Sequence, residues 1–207
     1  PDHITFPRVE KEIARQTARP FMKTFLTLSS HEPFDVPMSR LEHPYLNSVA
    51  YTDSCLGAFV DTLRQSPLWE NLLIVFVADH TMRYPAGIQE HEVKRHHIPM
   101  VWCGGAVRGH RVVEDYASQI DLAATLLAQM HIDYSDFAFS KNIADTTQRH
   151  FAYYTYKDGL GYVDAENRAV YDCDSESWLL KEGAQADTCA KSAQAFLQKL
   201  YDDLGSR

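Results

Sequence analysis

Two side chains that can bind a metal ion, Asp79 and His80, follow directly after an apolar run. The run, Leu72 to Ala78 (LLIVFVA), is typical of a strand covered on both faces, as in a parallel α/β sheet. Ligands of such sheets bind beyond the carboxyl ends of the strands. A carboxylate oxygen beside an imidazole nitrogen suits Zn²⁺ or Mn²⁺, with Mg²⁺ or Ca²⁺ as alternatives. We therefore predict that Asp79 and His80 are ligands of a divalent metal.

More histidines lie in the loops around the neighbouring predicted strands. His31 is in the polar loop Ser29 to Pro33. The loop before the next strand holds three histidines and two cations suited to an anion: His91, His96, His97, Lys94 and Arg95. Without these other histidines and cations, the Asp79-His80 pair is equally consistent with a loop cap, in which Asp79 accepts backbone N–H bonds and His80 is exposed.

Alternating strands and helices position these loops. The apolar and branched segments Met22 to Leu28 and Ile98 to Cys103 predict strands, the second ending in a Gly104-Gly105 turn. Helical periodicity predicts a helix from Leu46 to Leu63 and another from Ser118 to Met130, with Ser118 as N-cap. The alternation predicts an α/β fold with a doubly wound, mostly parallel sheet flanked by helices.

The pattern of residue types along the sequence changes beyond Phe139. Short aromatic or branched segments from Phe151 to Tyr171, separated by Asp158-Gly159 and Glu166-Asn167, predict a small antiparallel meander. A closing helix is expected from Thr188 to Leu204. We expect residues 1–145 to belong to the α/β domain and residues 146–207 to be the meander and helix packed on it.

Composition excludes several classes of protein. The 207 residues carry a formal charge of −8, which gives no general attraction to nucleic acid or anionic lipid. No segment approaches the roughly 20 apolar residues of a membrane span. The chain begins without Met and without the features of a signal peptide, which suggests a fragment of a longer protein. Cys173 and Cys189 form a disulfide if the protein is exported, or otherwise stay free.

Five motifs in the right order resemble a known family. The motifs are FLTLSSHEPF (25–34), YTDSCLGAFV (51–60), IVFVADH (74–80), HHIPMVWCGG (96–105) and SQIDLAATLL (118–127). With these motifs the chain resembles, over most of Pro20 to Gly161, the C-terminal half of the lipoteichoic-acid-synthase type of sulfatase, in the alkaline phosphatase superfamily.

The resemblance implies an alkaline-phosphatase-like fold and a metal-dependent transfer of phosphoglycerol or a related group through a threonine nucleophile. It implies that Asp79 and His80 bind the metal and that His31 contacts the substrate phosphate or a second metal. Among His91, His96 and His97 we favour His97 as a further substrate contact, although the motif alone leaves the choice open.

Two departures from the family pattern matter. Thr81 stands where the family usually has Gly, so the turn after the ligands is less free. The family's threonine nucleophile and remaining acidic ligand belong to its N-terminal half, which has no match here. Thr81 is a poor substitute because it adjoins a ligand. We therefore expect no catalytic nucleophile in this chain.

The resemblance leaves three functions open. The first is an extracytoplasmic phosphoglycerol transferase or sulfatase-like hydrolase of a phosphorylated or sulfated lipid or glycan, anchored by N-terminal membrane helices. The second is a phosphoethanolamine transferase, for which His31 would bind a second zinc. The third is a non-catalytic binding module that kept the fold.

Overall fold

Four α-helices, six strands and two short 3-10 helices (Trp69–Asn71 and Val93–His96) form in the computed structural model, which describes residues 1–207. In chain order the main elements are α1 (Asp2–Arg15), α2 (Pro44–Arg64), β1 (Ile74–Val77), β2 (Met100–Cys103), α3 (Asp121–Gln129), β3 (Ala152–Tyr156), β4 (Gly159–Val163), β5 (Arg168–Asp172), β6 (Ser177–Glu182) and α4 (Ala186–Ser206).

These elements are divided between two compact units. One unit comprises residues 1–76 and 101–109, and the other comprises residues 77–100 and 110–207. The expected division of the chain at residue 145 stays a prediction.

Apolar faces of α1 and α2 make the core of the first unit. Phe6 and Ile13 of α1 are buried against Phe59 and Leu63 of α2, and the Phe6 and Phe59 rings lie 4.9 Å apart. His43 caps α2 by accepting the Tyr45 N–H, as expected for a polar residue just before a helix. The predicted helix from Leu46 to Leu63 is therefore confirmed.

The prediction of a strand from Met22 to Leu28 is wrong. The segment has no regular secondary structure, and the first element of the chain is a helix, α1. The burial of Phe25 to Leu28 alternates as in a strand, but no other segment forms hydrogen bonds with the backbone of residues 22 to 27. A strand forms only where a partner satisfies its ladder of hydrogen bonds, which local sequence cannot supply.

The two other predicted strands pair with each other as β1 and β2 in a two-stranded sheet. The strand β1 is only partly buried, with Val77 38 % exposed, so the expected cover on both faces is wrong. The turn after β2 is confirmed. Gly104 has φ +112°, and a Cβ there would lie 2.0 Å from the carbonyl oxygen of Leu72, so only glycine fits.

The second unit has a four-stranded antiparallel sheet in the order β3-β4-β5-β6. It confirms the meander and adds β6, which the sequence did not predict. Helix α4 packs on this sheet and buries Ala190 and Ala193 with Leu160 and Tyr162. Cys189 is also buried there and Cys173 is exposed, and both are free thiols, so the disulfide alternative is wrong.

A buried carboxylate organises the start of α3. Asp121 is 0 % exposed and lies in the first turn of the helix. Its oxygens accept the N–H groups of Ser118 and Lys141 at 2.8 Å and the Lys141 ammonium at 2.7 Å. Lys141 also lies 3.8 Å from the Phe151 ring centroid. The ion pair and the backbone bonds together compensate the carboxylate for its loss of water.

The predicted N-cap at Ser118 is wrong. The helix begins at Asp121, and the Ser118 hydroxyl instead exchanges two hydrogen bonds with the backbone of Tyr153, accepting its N–H at 2.7 Å and donating to its C=O at 3.1 Å. Ser118 therefore joins the start of α3 to β3.

None of the helices combines the length and the apolar content that crossing a bilayer requires.

We expect Asp121→Asn to destabilise the protein by about 3 kcal/mol, because it leaves the half-buried Lys141 charge unpaired. Denaturant unfolding followed by near-UV circular dichroism measures this. Asp53→Asn is the matched control, since Asp53 is exposed on α2, and it should change stability by less than about 0.5 kcal/mol. Equal effects of the two substitutions would contradict the role given to Asp121.

Candidate metal and anion site

Asp79 and His80 lie in the loop directly after β1, as predicted. One Asp79 oxygen, Oδ1, accepts the His80 backbone N–H at 2.8 Å and so stabilises the turn. The other, Oδ2, lies 3.5 Å from His80 Nε2. His80 Nδ1 lies 3.0 Å from the Thr81 carbonyl oxygen, which fixes the ring and leaves Nε2 directed towards the carboxylate.

This pair of donors fits a divalent cation. Two donors that bind one zinc at about 2.0–2.1 Å in tetrahedral geometry lie about 3.4 Å apart. The 3.5 Å between Asp79 Oδ2 and His80 Nε2 matches that spacing. Both side chains are more than 70 % exposed, so an ion can reach them. No group of three or more His, Cys, Asp or Glu side chains in residues 1–207 could hold a metal.

The amide side chain of Gln119 supports this turn. Its Nε2 donates to the carbonyl oxygens of Ala78 at 2.5 Å and Asp79 at 2.9 Å. Gln119 lies between Ser118 and Asp121, so the hydrogen bonds of those two residues fix the backbone that carries it. The buried Asp121 carboxylate therefore positions, through Gln119, the backbone of the predicted ligands.

Thr81 is engaged in the structure of the loop. Its hydroxyl donates to the carbonyl oxygen of Arg95, which ties the two ends of the loop between β1 and β2. Arg83 forms an ion pair with Glu90 within the same loop. The Thr81 hydroxyl thus has a structural partner within the loop, and the expectation that Thr81 does not replace the family's threonine stays a prediction.

His96 is the structural histidine of the three in this loop. Its ring stacks on the Tyr154 ring of β3 at 3.9 Å between centroids and 14° between planes. His96 Nε2 donates to the carbonyl oxygen of Glu90 at 2.7 Å, and the Tyr154 hydroxyl donates to that of His91 at 3.1 Å. Burial lowers the pKa of His96 to about 4. Tyr154 and His96 therefore hold the loop on the meander.

The other two histidines of the loop face solvent to different degrees. His97 is exposed at the end of the 3-10 helix Val93–His96. His91 is half-buried and lines an open cleft of about 550 Å³ in the second unit. Further residues of the cleft wall are Arg83, Glu90, Tyr156, Asp158 and Asp172. The assignment of His97 as a substrate contact stays a prediction.

His31 belongs to the first unit, where it is exposed in a turn that begins at Leu28. Its Nδ1 lies 2.9 Å from the Glu32 carbonyl oxygen. The turn is held by the buried side chain of Asp2, which accepts the N–H groups of Leu28 and Ser29 at 3.2 and 3.3 Å. A histidine whose Nδ1 donates to a carbonyl presents the lone pair of Nε2 to a metal, and the protonated ring presents an N–H there to an anion.

Sequence analysis missed the residues that position the site. Asp2, Gln119 and Tyr154 carry no metal-ligand spacing, and their partners are 26 to 63 residues away in the chain. Only Asp121 had a usable signal, because a carboxylate three residues after Ser118 is the acidic half of a capping box.

The amino-acid sequence of the chain is similar to a known family and to two known proteins. Residues 1–132 match the Sulfatase family. Lipoteichoic acid synthase-like YvgJ of Bacillus subtilis is 33 % identical over 89 aligned positions, which cover 34 % of this chain and 14 % of the relative. Lipoteichoic acid synthase 2 of Bacillus subtilis is 25 % identical over 151 positions, which cover 59 % and 22 %. The matched stretch is thus less than a quarter of either relative.

The fold matches a crystal structure of a protein in the alkaline phosphatase superfamily from Vibrio parahaemolyticus. The TM-score is 0.73 at 22 % identity, over 97 % of this chain and 55 % of that chain. The α/β, alkaline-phosphatase-like fold class is therefore confirmed. The chain has two sheets, the two-stranded sheet of β1 and β2 and the four-stranded antiparallel meander. The mostly parallel, doubly wound arrangement therefore stays a prediction.

We expect Gln119→Leu to loosen the turn at Asp79, because two carbonyl oxygens lose their donor. Hydrogen exchange of the His80 amide should accelerate by about tenfold or more, for a lost bond worth about 1.5 kcal/mol. Gln198→Leu is the control, since Gln198 bonds only to Asp202 on the surface of α4 and should leave that amide unchanged. An unchanged rate in Gln119→Leu would contradict the positioning role.

Stability should depend on the protonation of His96. Its pKa is lowered from 6.5 to about 4, so protonation favours the unfolded chain, and its stabilisation is complete above pH 6.5 and is lost as the pH falls towards 4. His96→Phe keeps the stack without the titration. Between pH 7 and 4.5 the parent should lose roughly 2 kcal/mol more than this variant, after allowance for partial solvent screening. Denaturant unfolding at both pH values measures this, and parallel pH profiles would contradict it.

Proposed function

The chain belongs to the sulfatase family, and we propose that it is part of the catalytic domain of a metal-dependent phosphoglycerol transferase or sulfatase-like hydrolase. In this proposal Asp79 and His80 supply two ligands of a divalent metal, Mn²⁺ or Zn²⁺. The observation that carries it is the 3.5 Å separation of Asp79 Oδ2 and His80 Nε2 on a turn whose carbonyl groups accept from Gln119. The match of residues 1–132 to the sulfatase family supports it.

Each residue has a definite task in this proposal. Asp79 and His80 hold the ion, which when bound stabilises negative charge on the transferred group and activates a hydroxyl as the nucleophile. His31 and His97 bind the oxygens of a phosphate or sulfate ester. Gln119 keeps the Asp79 backbone in place, and Thr81 closes the loop through Arg95.

The remaining parts of the reaction centre lie outside this chain in our proposal. The threonine nucleophile and another acidic ligand come from the rest of the domain, which is attached to the outer face of the cytoplasmic membrane by N-terminal helices. The substrate is a phosphorylated or sulfated lipid or glycan. The likeness to the two lipoteichoic acid synthase relatives favours phosphoglycerol over sulfate.

The 207-residue chain should bind Mn²⁺ or Zn²⁺ weakly and turn over little phosphodiester, because it supplies two ligands and no nucleophile. Isothermal titration calorimetry and a chromogenic phosphodiester assay measure both. Robust metal-dependent hydrolysis by this chain, abolished by Asp79→Ala, would contradict the division of the site.

The protein encoded by the complete gene should hydrolyse or transfer the phosphodiester in the presence of Mn²⁺. Asp79→Ala and His80→Ala should each lower kcat/KM at least 1,000-fold, on the order of the several kcal/mol that a catalytic metal contributes. Asp53→Ala, on exposed α2, is the control and should keep full activity. Retention of activity by Asp79→Ala, or no affinity of the complete protein for Mn²⁺ and Zn²⁺, would favour a non-catalytic module.

A further inference from the structure

An open cleft lies in the second unit, between the meander and the loop that joins β1 to β2. Its volume is about 550 Å³, which is within the range of sites that bind small molecules. Residues 83 to 91 of the loop form one wall, and the meander contributes the side chains of Tyr156, Asp158 and Asp172. We call this space the loop–meander cleft. It shares its loop with the two predicted metal ligands but is lined by neither of them.

The charges of the loop–meander cleft disfavour an anion. Arg83 forms an ion pair with Glu90, so the positive charge in the wall is neutralised. Asp158 and Asp172 then give the cleft a net negative charge. Lys157 lies 3.9 Å from Asp158, but its side chain is 80 % exposed and its charge is screened by water. A phosphate or sulfate group would therefore meet two carboxylates that repel it.

The Asp172 carboxylate is ionised and held in place. Its Oδ1 accepts the Ser175 hydroxyl at 2.7 Å and the Ser175 N–H at 2.8 Å, and these bonds lower the pKa of Asp172. The charge of His91, across the cleft, lowers this pKa further. The other oxygen, Oδ2, has no hydrogen bond within the protein. The cleft is thus lined by a pre-positioned acceptor.

The ring of Tyr156 gives the cleft a rigid apolar surface. Its hydroxyl donates to the carbonyl oxygen of Tyr171 at 2.9 Å, and burial raises the pKa of Tyr156 to about 12, so the ring is neutral. The His91 ring lies 6.5 Å away between centroids. An aromatic ring of fixed orientation offers a large contact area at a low cost in conformational entropy.

We propose that the loop–meander cleft binds a neutral sugar residue. Sugar hydroxyls both donate and accept hydrogen bonds, so they can donate to Asp158 and Asp172 and accept from the guanidinium of Arg83. The C–H face of the sugar packs on the Tyr156 ring. The inference rests on the proposed function where it assigns this sugar to the substrate. It deepens that function by favouring a glycan or a glycolipid over a lipid without sugar.

Two other classes of ligand fit the loop–meander cleft less well. No group of three His, Cys, Asp or Glu side chains in residues 1–207 is placed to hold a metal ion. An organic ammonium group would be attracted by the two carboxylates and by the aromatic ring. The guanidinium of Arg83 in the same wall repels such a cation, whereas it matches a hydroxyl oxygen. The mixture of donors and acceptors therefore favours the sugar.

A titration of the ¹⁵N-labelled 207-residue chain with glucose, galactose, N-acetylglucosamine and maltose tests the proposal by NMR. At least one of these sugars should bind with a Kd on the order of 1 mM. It should shift the amide signals of residues 86 to 91 and 156 to 158 and leave those of α1 and α2 in place. No binding of any of the four at about 50-fold higher concentrations would overturn the proposal, as would shifts confined to other parts of the chain.

Two substitutions test the acceptors. Asp158→Asn and Asp172→Asn should each weaken sugar binding by about tenfold, as for the loss of one charge-assisted hydrogen bond. The asparagine at position 172 keeps an oxygen that can accept from Ser175, so the turn is preserved. Asp174→Asn is the matched control, because Asp174 is exposed on the same turn and does not line the cleft, and it should leave the affinity unchanged. Equal effects of all three substitutions would overturn the proposal.

Ionic strength and charged probes separate a sugar from an ion. The affinity for the sugar should be the same at about 0.05 and 0.5 M NaCl, because a neutral ligand gains nothing from long-range attraction. Choline and inorganic phosphate should not shift the amides of the cleft. Choline binding that disappears at high salt would overturn the proposal in favour of a cation site, and phosphate binding at the same amides would overturn it in favour of an anion site.

Maltose and dodecyl maltoside below its critical micelle concentration distinguish the two sources of such a sugar. Equal affinities of the two would uphold the site as one for a free glycan. Binding of dodecyl maltoside at least tenfold more tightly than maltose would uphold it as one for a glycolipid headgroup.

The two proposals fail separately. Sugar binding in the cleft of a protein whose complete gene product has no metal-dependent activity would uphold the sugar site and contradict the function. Activity that depends on Asp79 in a protein that binds none of the sugars would uphold the function and contradict the sugar site.

Discussion

The candidate site depends on one buried carboxylate, that of Asp121. A charge that is fully removed from water is stable only if every oxygen is compensated, and Asp121 achieves this with the Lys141 ammonium and two backbone N–H groups. Those bonds fix the backbone at Ser118 and Gln119. Ser118 then joins the turn to β3, and Gln119 holds the carbonyl groups of Ala78 and Asp79. A residue with no chemical task thus determines where two predicted ligands lie.

A second chain of contacts positions the rest of the loop. Tyr154 of β3 stacks on His96 and donates to the carbonyl oxygen of His91, and Thr81 donates to that of Arg95. The meander is therefore a support for the loop between β1 and β2 as well as a separate sheet. Since His96 is neutral and stacked in this arrangement, it is held by packing, which leaves exposed His97 and cleft-lining His91 as the histidines of the loop that can meet a ligand.

The first unit holds a well-bonded turn next to a segment without backbone hydrogen bonds. Asp2 secures the turn that carries His31, yet the preceding segment keeps its backbone unpaired and its leucines exposed. The turn is ordered because Asp2, which is distant in sequence, supplies its acceptors, and the preceding segment forms no strand because no distant segment supplies partners to its backbone.

The sequence by itself determined the α/β class, the helices α2 and α4, the strands β1 and β2, the meander and the place of Asp79 and His80 at the end of β1. These features follow from local periodicity and from apolar runs, which neighbouring residues specify. The tertiary structure decided that residues 22–28 form no strand, that Ser118 bonds to Tyr153 instead of capping α3, and that Gln119, Asp121 and Tyr154 position the site. Each of these depends on a hydrogen-bonding or stacking partner many residues away, or on its absence, and the periodicity of a single segment carries no information about such partners.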